Sequence, residues 1–433
     1  MSLRRTFAPI LVVGAGPAGA TAARTLALAG VPVHLIDRSP FPRNKPCGGG
    51  ISTRVLRRFP YLDRELCRIP THTVRRLYLE GPDGTSTAIE SDEPAALMIR
   101  RMDFDALLVS LAVEAGAELT TGVDIVMATE HDDHVDLTAR DGRRFAASLV
   151  IAADGVHSVV ARRLGLNRGW PPEAIALDMM EETPRAALRD VDPSTLWVRY
   201  GYEPRNSEFR PQNSEFRAAE GYAYIFPKTD HVNIGIGYVL SYYREAVESA
   251  PYELQRGFID DLLARGVVTG ESVRRNFTPF MIPVGGPVGR PGRGRVLLAG
   301  DAGGFVNAFT AEGIYYAMAS GNLAAQAILD TPDAPDGQRL ATRYRRAGTD
   351  EFGAELRDSV LIQRFLFADR RRMTRIIGNA HRYRPITEAI LAYAIGHLSY
   401  RSLRRRLLTQ FPSLVFRLMW SSLFSSKPHG ALR

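Results

Sequence analysis

The chain has 433 residues, 45% hydrophobic and 24% charged, which excludes a disordered polymer and is too much chain for one simple core. Its two cysteines, Cys47 and Cys67, exclude a disulfide framework and an iron–sulfur cluster ligated by this chain alone; they fit a reducing cytosol. The net charge is +8 and its excess gathers at one end: residues 389–433 carry no Asp or Glu, but hold Arg401, Arg404, Arg405, Arg406, Arg417, Lys427 and Arg433 among Leu414, Phe416, Met419, Trp420 and Phe424.

Two readings of that basic tail stand. One is a helical layer on the core with its arginines solvated. The other is a peripheral contact with an anionic membrane surface. No nucleic-acid motif accompanies the charge, so nucleic acid is set aside as a partner. No signal peptide is read at the start, and no run of about 18 apolar residues marks a spanning helix, so a cytoplasmic protein, peripheral at most, is expected.

In chain order, residues 10–13 form a short buried strand, 17–29 an Ala-rich helix and 31–36 the next strand, ending at Asp37; this is one βαβ unit. A Gly/Pro-marked loop follows over 39–50. Residues 75–90 carry a hairpin around Pro82-Asp83-Gly84. A helix is predicted over 103–115, strands over 124–128 and 135–139, a turn at Asp141-Gly142 and a buried strand over 149–152. Strands at 196–202, 221–226 and 231–239 and a helix at 252–265 belong to a second unit. Residues 296–299 return as a buried strand, followed by a Gly-rich turn and a helix over 313–329, and from 339 onward the pattern is helical. A short repeat, Asn206-Ser-Glu-Phe-Arg210 and again Asn213-Ser-Glu-Phe-Arg217, occurs only twice and is no solenoid.

Gly14-Ala15-Gly16-Pro17-Ala18-Gly19 fits G-x-G-x-x-G directly after a strand and at the start of a helix. Gly14 allows the tight turn, Gly16 admits a pyrophosphate, and Gly19 lets the helix pack on the sheet. The helix N-terminus offers free N–H groups to phosphate. Asp37, 18 residues after Gly19, is placed to accept from ribose hydroxyls, with Arg38 beside it. This fingerprint alone leaves FAD and NAD open. Two later segments favour a flavin. Asp154-Gly155 follows a buried strand, and Gly300-Asp301-Ala302-Gly303-Gly304 follows another. There Asp301 suits the ribityl hydroxyls, and the helix from Gly313 can aim its N-terminus at the flavin pyrimidine.

Together these segments resemble the para-hydroxybenzoate-hydroxylase-like FAD superfamily, and within it the geranylgeranyl reductase family. Lys45-Pro46-Cys47-Gly48-Gly49 is similar to that family's K-x-C-G-G segment, and Arg101, Phe104 and Asp105 to its R-x-x-F-D helix start. Residues 300–314 are similar to G-D-A-x-G-F-V-N-P-x-x-G-E-G-I, and Tyr222 to Pro227 to Y-x-W-x-F-P. Three positions depart from the pattern: Ala308 and Ala311 stand for Pro and Gly, and Tyr224 for Trp. The resemblance implies an α/β fold in which a Rossmann-type FAD-binding domain (1–74, 95–173 and 283–338) carries an inserted antiparallel β-sheet substrate domain (75–94 and 174–282). A C-terminal helical region (339–433) follows. It implies flavin contacts at Ala18, Asp37, Cys47, Gly48, Gly50, Arg101, Ile125, Asp301, Gly313 and Ile314, with a substrate face at Tyr222, Tyr224, Phe226 and Pro227.

The implied chemistry is reduction of carbon–carbon double bonds in an apolar isoprenoid chain, with electrons from NAD(P)H or ferredoxin. A proton must reach carbon as the hydride arrives. Cys47 and Glu312 are candidates for supplying it, against plain readings as a packing residue and a helix-dipole partner. Tyr222, Tyr224 and Tyr315 either donate protons or line a pocket. An aromatic monooxygenase, a quinone oxidoreductase and a flavin-binding scaffold without catalysis remain alternatives on the same fold.

Overall fold

The computed structural model describes residues 5–203, 219–247, 249–331, 337–380, 384–394 and 396–410. The Asn-Ser-Glu-Phe-Arg repeat and the apolar part of the basic tail, 414–424, lie outside these residues.

The first sheet has eight strands. Val296–Leu298, Arg144–Ala152, Arg5–Val13, Val33–Ile36 and Glu118–Thr120 run parallel in that spatial order, and the antiparallel strands Val135–Ala139 and Ile125–Glu130 extend beside Arg144–Ala152. Residues 10–13 of the strand Arg5–Val13 are buried on both faces and read as one apolar run, while Phe7 earlier in it is exposed. Ile10 and Val12 face a core shared with the helices Pro17–Leu28 and Ile314–Leu329, while Leu11 and Val13 face the meander. Those two helices touch backbone to backbone: a Cβ on Gly321 would lie 2.1 Å from the Ala18 carbonyl oxygen.

The second sheet has seven strands in the order Phe277–Pro283, Ile175–Pro184, His231–Val239, Gly221–Pro227, Thr195–Tyr200, Arg76–Glu80 and Ser86–Glu90. All neighbours are antiparallel except Thr195–Tyr200 with Arg76–Glu80, which brings the hairpin into this sheet. One face packs Trp197, Ile225, Ile234 and Ile236 under Phe258 and Leu262 of the helix Pro251–Ala264. The other face carries Met180, Val198, Tyr200, Tyr222, Tyr224, Phe226 and Phe280.

Two strands of this sheet, Ile175–Pro184 and Phe277–Pro283, are absent from the sequence reading. A small third sheet, Gly50–Ser52, Ala96–Ile99 and Thr71–Val74, links the loop after Cys47 to the molecule. Helices follow from Gly337 onward among the described residues. One of them, Ala354–Phe367, reaches the site: its Ser359 hydroxyl accepts from the Ala308 N–H at 3.0 Å.

Candidate active site

The turn at Gly14 has φ +96°, and a Cβ there would meet the Ala153 carbonyl oxygen at 2.3 Å. A Cβ on Gly19 would lie 1.8 Å from the Gly14 oxygen. At Gly16 the nearest atom to an added Cβ is an Arg43 guanidinium nitrogen at 3.7 Å, so space is left where a phosphate group needs it. The helix Pro17–Leu28 starts without a side-chain cap or an acidic residue in its first turn, so its N–H groups stay available to an anion. Asp37 is buried; its carboxylate accepts from Ala15 N at 2.7 Å and Ser39 N at 2.8 Å.

Two arginines stand beside this turn. Asp105, fully buried, takes Arg101 in a two-pronged pair at 2.7 and 2.8 Å and also holds Arg43 at 3.2 Å. Arg43 also lies 3.8 Å from Asp37, so two guanidiniums bridge two carboxylates here and bring N–H donors beside Gly16, of the kind that suits a pyrophosphate. Burial works against the Arg101 cation, but the charge and hydrogen bonds of Asp105 outweigh it and keep the guanidinium charged.

The Lys45–Gly50 loop runs from this cradle to the second sheet. Burial, and then the Arg101 charge, push the Lys45 ammonium below its ordinary range. Asp301 and Cys47 lie within its electrostatic reach, and Asp178 feels it from the sheet. Burial lifts the Asp301 carboxyl, against the pull of Lys45 and Arg101. A Cβ on Gly313, the residue before the helix Ile314–Leu329, would sit 3.7 Å from Asp301 Oδ1. Lys228, fully buried on the sheet, donates to the Gly48 carbonyl, and Asn233 Nδ2 donates to the Cys47 carbonyl at 3.2 Å. Burial pushes Lys228 down to about 8. A Cβ on Gly48 would lie 2.7 Å from the Phe226 ring, so this glycine permits the loop to lie flat on the aromatic face.

That face is a ladder. Tyr200–Tyr222, Tyr222–Tyr224 and Tyr224–Phe226 ring centroids are 5.7, 6.0 and 4.5 Å apart, and Phe309 stacks on Tyr200 at 5.1 Å. Tyr222 donates to the Thr310 carbonyl at 2.8 Å. Tyr224 donates to Asp178 Oδ2 at 3.0 Å. Burial pushes the Asp178 carboxyl up to about 7, while the bond from Tyr224 and the Lys45 charge pull the other way. Burial likewise raises both tyrosine hydroxyls.

The model of the FAD binding domain matches residues 8–232. The chain belongs to this family. It is an FAD-dependent oxidoreductase of the para-hydroxybenzoate-hydroxylase-like superfamily, as its resemblance implied. The flavoprotein is 32% identical over 351 residues to a menaquinone reductase of Mycobacterium tuberculosis, covering 78% of this chain and 81% of that one. It is 28% identical to digeranylgeranylglycerophospholipid reductase 2 of Methanothermobacter thermautotrophicus, over 82% and 87% of the two chains. Its fold matches a geranylgeranyl bacteriochlorophyll reductase-like protein of Thermoplasma acidophilum with a TM-score of 0.76, 20% identity and coverage of 96% and 99%.

The residues singled out in the sequence distribute unevenly over the flavoprotein. Gly14, Ala15, Gly16, Pro17, Ala18, Gly19 and Asp37 form one cradle, and Arg101 lies with them. Cys47, Gly48 and Gly50 line the loop beneath Phe226; Asp301, Gly313 and Ile314 adjoin it through Lys45. Asp154 instead closes a helix start, accepting from Ser158 Oγ at 2.5 Å and Val159 N at 2.7 Å, with Gly155 at the turn (φ +82°). Arg38 is exposed, Ile125 is buried beneath the sheet with Val13 and Ile36, and Pro227 ends its strand against Val232.

Glu312 does not stand free: it pairs with buried Arg54 at 3.2 Å and accepts from Ser52 N at 3.4 Å. Cys47 Sγ accepts from Gly49 N at 3.4 Å.

The departures from the family pattern have local accounts. Ala308 uses an N–H that proline lacks, giving it to Ser359. Ala311 keeps the left-handed backbone of the glycine it replaces, at φ +54°, alone among described non-glycine residues. Tyr224 supplies a hydroxyl that tryptophan does not have. Sequence reasoning missed Arg43, Asp178 and Lys228. The Lys in Phe-Pro-Lys was visible as a motif member; Asp178 sat in a strand that went unread.

Proposed function

We propose that the flavoprotein reduces carbon–carbon double bonds in the isoprenoid chain of a lipid, with a prenylated quinone as the first candidate and a prenyl diphosphate or prenylated lipid as the others. The aromatic ladder Tyr200–Tyr222–Tyr224–Phe226 carries this reading, because it lies directly on the loop that leads to the cofactor cradle. An elongated hydrocarbon suits such a wall, since each ring buries apolar surface and none demands a hydrogen bond from the ligand. The names of the menaquinone and digeranylgeranylglycerophospholipid reductases support it; both name isoprenoid lipids.

When bound, FAD supplies the hydride, from electrons delivered by NAD(P)H or ferredoxin. The chain does the rest. Gly14–Gly19 and the Arg43–Asp105–Arg101 cluster would hold its pyrophosphate. Asp301 and the start of the helix Ile314–Leu329 would serve its flavin, and the Cys47–Gly50 loop, pinned by Lys228 and Asn233, keeps the aromatic face in place. The basic helix Tyr400–Gln410, with Arg401, Arg405 and Arg406 exposed, suits a peripheral contact with an anionic membrane that holds the substrate. No helix among the described residues is long and apolar enough to cross a membrane.

The test is anaerobic. The dithionite-reduced holoenzyme is mixed with menaquinone or geranylgeranyl diphosphate, and products are weighed. A gain of two hydrogens per double bond, with reoxidation of the flavin, is the expected result. Ring reduction with an unchanged tail would replace this reading by quinone electron transfer. Reoxidation only on admission of oxygen would replace it by monooxygenation.

A further inference from the structure

Ile175–Pro184 is the second strand of the aromatic sheet, and its residues alternate between two buried faces. Glu181 points away from the ladder and is saturated: it accepts from Thr183 Oγ1 at 2.6 Å, Ser272 Oγ at 2.7 Å and Val273 N at 2.8 Å. Asp178 shares the ladder face with Met180. Its Oδ2 accepts from Tyr224, while its Oδ1, buried, has no hydrogen-bond partner. A buried carboxylate oxygen without a donor is costly, and the same carboxyl carrying a proton costs less because it holds no charge.

The neighbours make room for this arrangement. Asp178 lies opposite Gly237 on one side and Phe280 on the other. Tyr224 reaches it across Gly235, where an added Cβ would strike the phenol at 2.3 Å. A Cβ on Gly237 would stand 3.4 Å from Oδ1. The strands His231–Val239 and Phe277–Pro283 thus bring glycines and an aromatic ring, not charges, to this point. The titratable groups that face Asp178 are Tyr224 and Tyr222 from Gly221–Pro227 and Lys45 from the cofactor loop.

We infer that Asp178 delivers the proton to carbon, with Tyr224 as its positioning partner; the inference rests on the function proposed above. The π pair of the alkene takes up the proton, the hydride from the reduced flavin completes the second carbon–hydrogen bond, and the electrons of the broken O–H bond stay on Asp178. The new carboxylate is steadied by the Tyr224 hydroxyl and the Lys45 charge. Water reprotonates it once product has left. Glu312, the other carboxyl considered, is paired with Arg54.

Asp178→Asn and Tyr224→Phe in the holoenzyme test this, with single-turnover reduction of the menaquinone tail followed by mass. Asp178→Asn keeps flavin content and absorbance spectrum and slows saturation of the double bond about 100-fold or more. Tyr224→Phe slows it less and moves the alkaline limb of the rate profile to higher pH, because the bond that favours the charged carboxylate is gone. Infrared spectra give a readout independent of turnover: the carbonyl band of a buried, protonated carboxyl at about pH 6, lost in Asp178→Asn. A parent enzyme that saturates no tail, prenyl diphosphate included, overturns the function and this inference together. If the parent saturates the tail and Asp178→Asn matches its rate, only the inference falls. Absence of the infrared band in the parent overturns it too.

Discussion

Carboxyl groups on the two sides of the site live differently. In the cofactor cradle Asp37 accepts two backbone N–H groups and Asp105 holds two arginines. On the aromatic wall Asp178 has one phenol, the adjoining Met179 N–H acting on it more weakly, and an Oδ1 without a hydrogen-bond partner. The saturated pair fixes shape and charge for a ligand that never reacts at that end. The unsaturated one is the group we infer to hold the proton for the reacting chain. Burial is common to both sides; what separates a structural carboxylate from a chemical one here is the number of donors supplied.

The sharpest way to break this comparison is to remove the anion at the cradle. Asp105→Ala leaves Arg43 and Arg101 buried against each other, and a loss of about 3–5 kcal/mol is expected. Thermal unfolding and flavin content measure it; a variant as stable as the parent would mean that the arginines find water. Next comes the opposite sign on the other wall. Below about pH 4 folded and unfolded chains both carry the Asp178 proton, and Asp178→Asn is nearly neutral. As pH rises the unfolded chain ionises first, so the parent loses stability until the folded carboxyl ionises too, near 7. Above that, Asp178→Asn is the more stable protein by roughly 2–4 kcal/mol. Melting temperatures of the two proteins from pH 4 to about 8 check both sign and window. The smallest effect is at Ala311. Its left-handed backbone costs about 1 kcal/mol, part of which glycine returns as unfolded-state entropy, so Ala311→Gly gains about 0.5 kcal/mol in denaturant unfolding.

The cradle was legible because its chemistry is backbone chemistry. Glycines at 14, 16 and 19 and the acid at 37 are dictated by close approach, and spacing alone reveals them. The ladder Tyr222, Tyr224, Phe226 was legible from alternation. The strand Ile175–Pro184 was not, since it is buried on both faces and carries Asp178, Glu181 and Glu182, which break any alternation of apolar and polar residues. What permits those charges lies elsewhere in the chain: Ser272 and Val273 for Glu181, Arg100 for Glu182, and Tyr224 across Gly235 for Asp178. Asp154, read as a flavin contact from its position after a buried strand, has local partners in the fold. Its hydrogen bonds to Ser158 and Val159 are local and no spacing rule would announce them. Arg101 and Asp105 stand together in the R-x-x-F-D pattern, but the second arginine on Asp105, from position 43, required the fold.

The bond from Lys228 to the Gly48 carbonyl has a bearing on how such enzymes are recombined. The loop and the sheet strand are 180 residues apart in the chain, yet the ammonium has been drawn wholly inside the protein to meet that one oxygen, with Asn233 holding the preceding carbonyl. A chimera that imports the Cys-Gly-Gly loop from a relative inherits half of a clasp. A loop of another path would move the Gly48 carbonyl away from Lys228 and leave the ammonium only the charge of Glu182.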